Sequence, residues 1–73
     1  MNSEERIKFI QHEIERQIKE IKEKKSTFVI YLPNAIIIAD SYKFREHFSE
    51  YIDLYMNNTY IATVKIWSIE IIG

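Results

Sequence analysis

The chain has 73 residues and carries ten Lys and Arg against eleven Asp and Glu, which gives a formal net charge of −1. A chain this short makes a single domain at most, here expected over residues 1–73, and buries only about 60 % of the surface that its unfolded form exposes. Association is therefore a natural source of added stability. The absence of cysteine excludes disulfides and thiolate zinc sites. The balance of charge removes the usual basis of tight, nonspecific binding to duplex nucleic acid.

Hydrophobic residues make up 47 % of the chain and aromatic residues 14 %, a composition that predicts a folded protein. No apolar run exceeds five residues, the length of Ala35–Ala39, and this is far shorter than the roughly 20 residues that span a bilayer. The first five residues are polar and acidic, unlike a secretion signal. We therefore expect a cytoplasmic protein that does not contact a membrane.

Glycine and proline each occur once, as Gly73 and Pro33. Phosphate-binding loops, dinucleotide fingerprints and nucleophile elbows all need internal glycines, because the backbone must approach the ligand closely. None of these motifs can form here. We expect a non-enzymatic protein with no catalytic residues, no cofactor and no bound metal.

Residues 4–24 have the pattern of an amphipathic helix. Isoleucines recur with spacings of 3, 4, 4 and 3 residues, which keeps them on one side of a helix. These are Ile7, Ile10, Ile14, Ile18 and Ile21. Asn2 and Glu5 resemble a capping box at the start, and lysines at the end suit the helix dipole.

The next segments predict strands over residues 27–32 and 35–39, since both are rich in β-branched and aromatic residues. Pro33–Asn34 separates them. Proline cannot supply the positive φ that tight hairpins prefer, so we expect a longer loop or a bulge here.

Residues 42–56 predict a second helix, capped by Asp40 or Ser41 and ended by Asn57–Asn58. Apolar residues recur at helical spacing on one side of it, namely Phe44, Phe48, Tyr51, Ile52 and Tyr55. The other side would carry Glu46, Ser49, Glu50 and Asp53.

Residues 59–72 alternate as a strand, but the thirteen steps between these fourteen residues would span about 43 Å, twice the length of the earlier strands. We expect either a bulge near residues 65–67 or an overhang. The predicted order is α-β-β-α-β. It describes an α+β fold with a three-stranded, mainly antiparallel sheet packed with two amphipathic helices.

The strand at residues 27–32 is apolar on both faces, so both faces of the sheet need a cover. Two helices can cover one face each. If both lie on one face, the other face needs a second copy or a partner, and the edge of the last strand offers a further pairing site. We expect a homodimer; the alternative is a compact monomer with a bent last strand.

Two histidine–glutamate pairs have the spacing of metal ligands on a helix, His12 with Glu15 and His47 with Glu50. Glu-rich helices produce this spacing by chance, so we do not predict a metal site. Ser41, Ser49 and His47 lie in no turn that would activate a nucleophile, so a hydrolytic triad is not predicted either.

The leading hypothesis is a small protein–protein interaction module, a homodimeric inhibitor, adaptor or regulator of a larger protein. Its size and composition are similar to those of the small inhibitors that phages, plasmids and archaeal viruses encode, although no motif supports this. Large aromatics dominate interfaces, which makes Tyr31, Tyr60 and Trp67 the predicted contact residues. Glu46, Glu50 and Asp53 form a second predicted patch, an acidic stripe on the second helix.

The alternative function is binding of single-stranded nucleic acid, through stacking on exposed aromatics and neutralisation of phosphates by a lysine cluster. The cluster consists of Lys19, Lys22, Lys24 and Lys25. Against it, lysines are common at helix C-termini, and the cluster also contains Glu20 and Glu23. A self-assembling structural protein is a third possibility.

Overall fold

The computed structural model describes residues 2–73, which form an α+β structure with one helix and six strands. The helix is α1 (Ser3–Lys22). The strands are β1 (Phe28–Leu32), β2 (Ala35–Ala39), β3 (Ser41–Phe44), β4 (Tyr51–Met56), β5 (Thr59–Lys65) and β6 (Ile71–Ile72). They make two antiparallel three-stranded sheets, so the prediction of a single sheet was wrong. Sheet A has the order β2-β1-β6 and sheet B the order β3-β4-β5.

The first helix is confirmed. The Asn2 side-chain oxygen accepts a hydrogen bond from the Glu5 backbone N–H at 2.8 Å, which satisfies one of the free donors at the helix start. The isoleucine stripe faces inward, with Ile14 and Ile18 almost fully buried, and α1 packs against β1 and β6. At the other end the Lys22 ammonium donates to the Asp40 backbone carbonyl and so ties α1 to the junction of β2 and β3.

Strands β1 and β2 are also confirmed, but the loop between them is shorter than expected. Leu32 pairs directly with Ala35, so Pro33–Asn34 is a two-residue turn with neither a bulge nor a longer loop. Neither residue of this turn has a positive φ. The prediction of a longer connection was therefore wrong.

The second helix was wrong, and its residues form β3, a loop and β4 instead. The i, i+4 spacing of the aromatics is real, but an alternation of period two overlaps it. In β4, Ile52 and Leu54 lie on the face that points to the core and are fully buried. Tyr51, the first residue of the strand, lies on the opposite face and is exposed. Tertiary pairing selects the strand, because β-branched and aromatic residues fit a half-buried sheet well.

Asn57–Asn58, predicted as a helix stop, is the two-residue turn of the hairpin between β4 and β5. Their φ angles are 52° and 65°, the left-handed values that a type I′ turn requires at both positions. Asparagine tolerates this conformation, which is why the same pair is compatible with either structure.

The long last strand is broken, close to where the sequence predicts a break. β5 ends at Lys65, a 3₁₀ turn follows over Ile66–Ser68, and β6 returns to pair with β1. Gly73 continues this ladder, since it exchanges backbone hydrogen bonds with Val29 at 2.8 and 2.9 Å.

The core lies between α1 and the inner faces of both sheets, and it contains the fully buried side chains Phe28, Ile18, Ile30, Ile52 and Leu54. Across residues 2–73, no helix has both the length and the apolar character needed to cross a membrane. Among residues 2–73, α1 is the one α-helix that covers the sheets, and it packs on their inner faces.

Candidate functional site

The face of sheet A that points away from the core carries six residues in two rows of three. One row holds Ile38, Val29 and Gly73, and the other holds Ile36, Tyr31 and Ile71. We call this set the outer face of sheet A. Its neighbours along β1, Phe28 and Ile30, point the opposite way and are fully buried, as alternation along a strand requires.

Four of the six residues on the outer face of sheet A are exposed, and none of the six has a charged side chain. The exposed fractions are 65 % for Ile36, 62 % for Ile71, 54 % for Ile38 and 37 % for Tyr31. The exposed apolar area is on the order of 400 Å², the size of the largest patch on an ordinary monomer, and patches of this size are often functional. The Tyr31 hydroxyl is the only polar side-chain group on this face.

The missing second helix explains why this face is open. The sequence analysis allowed either a cover on each face of the sheet or both covers on one face. Residues 42–56 form sheet B and part of the core instead of a second cover, so only the inner face of sheet A is covered. The apolar residues on its outer face remain in contact with solvent.

The outer face of sheet B is different, because it carries polar side chains that bond to each other beside its exposed tyrosines. Asp53 is almost buried and accepts hydrogen bonds from the Thr63 hydroxyl at 2.5 Å and from the Arg45 guanidinium at 3.2 Å. Arg45 also donates to Thr63 and lies 5.9 Å from the centre of the Tyr51 ring. Sheet B therefore combines exposed tyrosines with a bonded polar network, whereas the outer face of sheet A has no such network.

The three predicted aromatics are all exposed, but they lie on three separate surfaces. Tyr31 belongs to the outer face of sheet A. Tyr60 is on β5, where it packs edge-on against Tyr55 and hydrogen-bonds to Thr63 at 2.6 Å. Trp67 is in the 3₁₀ turn near the start of α1.

Trp67 is held in place by two charged groups. Its indole N–H donates to a Glu50 carboxylate oxygen at 3.2 Å, and the Arg6 guanidinium lies 5.7 Å from its ring centre. The Trp67 side chain is 43 % exposed, but these two contacts fix its orientation. It is not on a strand of sheet A, although it lines a concavity with Ile71 of that sheet.

The acidic stripe predicted from Glu46, Glu50 and Asp53 does not form, because the helix that would align them does not exist. Glu46 lies exposed in the loop before β4, and Glu50 bonds to Trp67. Asp53 is an internal partner of Arg45 and Thr63. The three carboxylates therefore occupy three different environments.

The predicted lysine cluster lies at the end of α1 and beyond it. Lys19 and Lys22 line an open concavity between α1 and β3, together with Glu15, Glu23 and Tyr42. Burial, and to a smaller extent the charge of Glu15, raise the pKa of Tyr42. Lys24 and Lys25 follow the helix and are exposed. The concavity has mixed charge and contains none of the three predicted aromatics, so the nucleic-acid hypothesis remains a prediction without added support.

The histidine and serine sites were not predicted to be functional, and their contacts are structural. The Ser49 hydroxyl donates to the Tyr51 carbonyl at 2.9 Å and accepts from the Tyr51 N–H at 3.0 Å. His47 packs edge-on against Phe48. Over residues 2–73, no group of three or more His, Cys, Asp or Glu side chains could hold a metal ion.

Sequence reasoning missed Ile36, Ile38 and Ile71 as surface residues and found only Tyr31. The available signal was the unbroken apolar run of β2, which has no polar residue on either face. Comparison of this chain with protein-family models, with curated proteins and with solved structures finds no match.

Proposed function

We propose that this chain is a non-enzymatic protein–protein interaction module and that the outer face of sheet A binds a larger protein. The observation that carries the proposal is the exposure of four side chains without charge on one face of a sheet, namely Ile36, Ile38, Ile71 and Tyr31. Contact between apolar surface and water is unfavourable in free energy, so a partner that covers this patch gains binding free energy. Inhibitor, adaptor and regulatory subunit are all roles of such a module.

Tyr31 lies in the middle of its row, between Ile36 on β2 and Ile71 on β6. Interface energy is concentrated in central residues, and tyrosine is among the residue types that contribute most. Tyr31 also belongs to β1, the central strand, so a substitution of its exposed side chain leaves both sheet edges intact. We expect it to be the main contact residue.

The test compares Tyr31→Lys with Tyr60→Lys, a matched change at an exposed tyrosine on sheet B. Proteins captured from a native extract by the wild-type chain are identified and purified, and their affinity is measured by calorimetry. We expect Tyr31→Lys to weaken binding by about 30-fold or more, and Tyr60→Lys to change it by no more than about 3-fold. Equal binding by wild type and Tyr31→Lys would refute the proposal.

A titration with fluorescent single-stranded oligonucleotides at low salt separates the alternative. An apolar protein contact depends little on salt, whereas nucleic-acid binding weakens steeply as salt rises. Oligonucleotide binding that is lost when Lys19 and Lys22 are changed to Ala, while Tyr31→Lys binds as wild type, would favour the nucleic-acid function.

A further inference from the structure

The free edge of β2 is a second feature that the proposed function does not use. β2 is an edge strand of sheet A and pairs only with β1 among residues 2–73. Its five residues, Ala35–Ala39, include no charge, no proline and no bulge. Natural proteins usually protect exposed edges with one of these devices, because an unpaired edge invites another strand.

The hydrogen-bonding pattern shows which groups this edge offers. Val29 exchanges both of its backbone hydrogen bonds with Gly73. The backbone N–H and C=O groups of the odd-numbered residues of β1 therefore point towards β6, and those of the even-numbered residues point towards β2. In β2 the residues opposite them are Ala35, Ile37 and Ala39. The backbone N–H and C=O groups of Ile36 and Ile38 therefore point to the free edge.

The length of this edge is fixed at both ends. The turn Pro33–Asn34 precedes it, and at Asp40 the chain changes neighbour, since the Asp40 N–H donates to the Tyr55 carbonyl of sheet B at 2.9 Å. Because β4 contacts β2 near this end, the free part of the edge precedes Ala39. A twofold axis at Ile37 brings Ile36 and Ile38 of two such segments opposite each other.

We propose that two copies of this chain pair antiparallel through β2 and join their sheets A into one six-stranded sheet. Ile36 of one copy then lies opposite Ile38 of the second copy. Because both residues present their N–H and C=O groups to the edge, these two symmetry-related pairs form four backbone hydrogen bonds. Ile37 lies opposite its own counterpart on the axis, and no like charges meet.

This pairing rests on the proposed function and completes it, because it places two outer faces side by side. One outer face offers on the order of 400 Å², and two together offer about 800 Å², the area that each partner contributes to a standard interface. The dimer itself buries little side-chain area, so we expect it to be weak and concentration-dependent. A bound partner that spans both faces would strengthen it.

The matched variants Ile38→Pro and Ile38→Ala test the edge. Proline removes the outward N–H of residue 38 and is tolerated on edge strands, and it leaves the hydrogen bonds to β1 in place. Alanine removes the same side chain but keeps the N–H. Sedimentation equilibrium from about 1 µM to 1 mM should show a monomer–dimer equilibrium for wild type and Ile38→Ala, and a monomer for Ile38→Pro.

Amide hydrogen exchange on the wild-type chain keeps the test decisive if Ile38→Pro does not fold. We expect the Ile36 and Ile38 amides, which have no acceptor among residues 2–73, to exchange about 10-fold or more slowly at the highest concentration than at the lowest. A wild-type chain that stays monomeric, a dimer that persists in folded Ile38→Pro, or assemblies that grow beyond a dimer would each overturn the proposal. Tyr31→Lys should dimerise normally, so loss of partner binding in that variant and loss of the dimer in Ile38→Pro report separately on the two proposals.

Discussion

The two faces of sheet A should respond very differently to the same substitution. Ile30 on β1 is fully buried, whereas the Ile36 residue is 65 % exposed. Replacing a buried isoleucine by alanine costs about 2–5 kcal/mol, because it removes apolar contacts and leaves a cavity. Complete burial of an isoleucine is worth about 1.5–3 kcal/mol, so the one-third burial of Ile36 predicts a loss of only about 0.5–1 kcal/mol.

These differences are large against the stability of so short a chain, which is about 4–11 kcal/mol. At about 4–8 °C per kcal/mol, Ile30→Ala should lower the midpoint of thermal unfolding by about 8–40 °C, and Ile36→Ala by about 2–8 °C. Ile37→Ala is the control for position, since Ile37 lies on β2 beside Ile36 but points to the core. It should cost more than Ile36→Ala.

The assay is thermal and urea unfolding followed by circular dichroism, at a protein concentration too low for association. A loss in Ile36→Ala as large as that in Ile30→Ala would mean that the outer face of sheet A is covered, and the reasoning behind both proposals would fail.

Three further predictions concern sheet B and its surroundings. Asp53→Ala removes the hydrogen-bond acceptor of Thr63 and Arg45 and should lower the free energy of unfolding by about 1–3 kcal/mol in urea titrations. Lys43→Ala, a change at the exposed residue paired with Asp53, should alter it by less than about 0.5 kcal/mol, and equal effects of the two changes would contradict the polar network. Asn58→Gly should keep or raise the midpoint of urea unfolding, while Asn58→Val should lower stability by about 1–2 kcal/mol, because valine does not tolerate a φ of 65°. Burial raises the pKa of Tyr42 in the folded state, so its contribution to stability should be fully present below pH 10 and lost as pH rises further. The fall in stability above pH 10 should therefore be shallower in Tyr42→Phe, and an equally steep fall in that variant would contradict the burial of the hydroxyl.

The sequence predicts the elements whose pattern has one explanation. The α1 isoleucines fit only a helix of period 3.6, and an asparagine cap marks its start. β1 and β2 are continuous β-branched and aromatic runs, which favour strands whatever surrounds them. These three elements were all predicted within about two residues.

The segment 42–56 could not be predicted because two periodicities coexist in it. The helical spacing of Phe44, Phe48 and Tyr55 competes with the alternation around Ile52 and Leu54. The long-range pairing of β4 with β3 and β5 decides between them, and a local pattern does not contain that information. The acidic stripe was lost with the helix that it needed.

Only part of the candidate site could be predicted, because the rest depends on long-range pairing of the strands. The apolar character of both faces of β1 was visible in the sequence, and it identified Tyr31. Which face would lack a cover depended on the number of helices, so Ile36, Ile38 and Ile71 appeared only when the sheets were known. The free edge of β2 likewise depends on sheet order, which no local feature encodes.

Residue-resolved carbene footprinting of the dilute, purified chain, alone and with its purified partner, tests the binding role of the outer face of sheet A most directly. The account predicts heavy labelling of Ile36, Ile38 and Ile71 in the free chain, little labelling of Ile30 and Phe28, and a loss of label at the first three when the partner binds. Weak labelling of those three in the free chain, or labelling that the bound partner leaves unchanged, would contradict it.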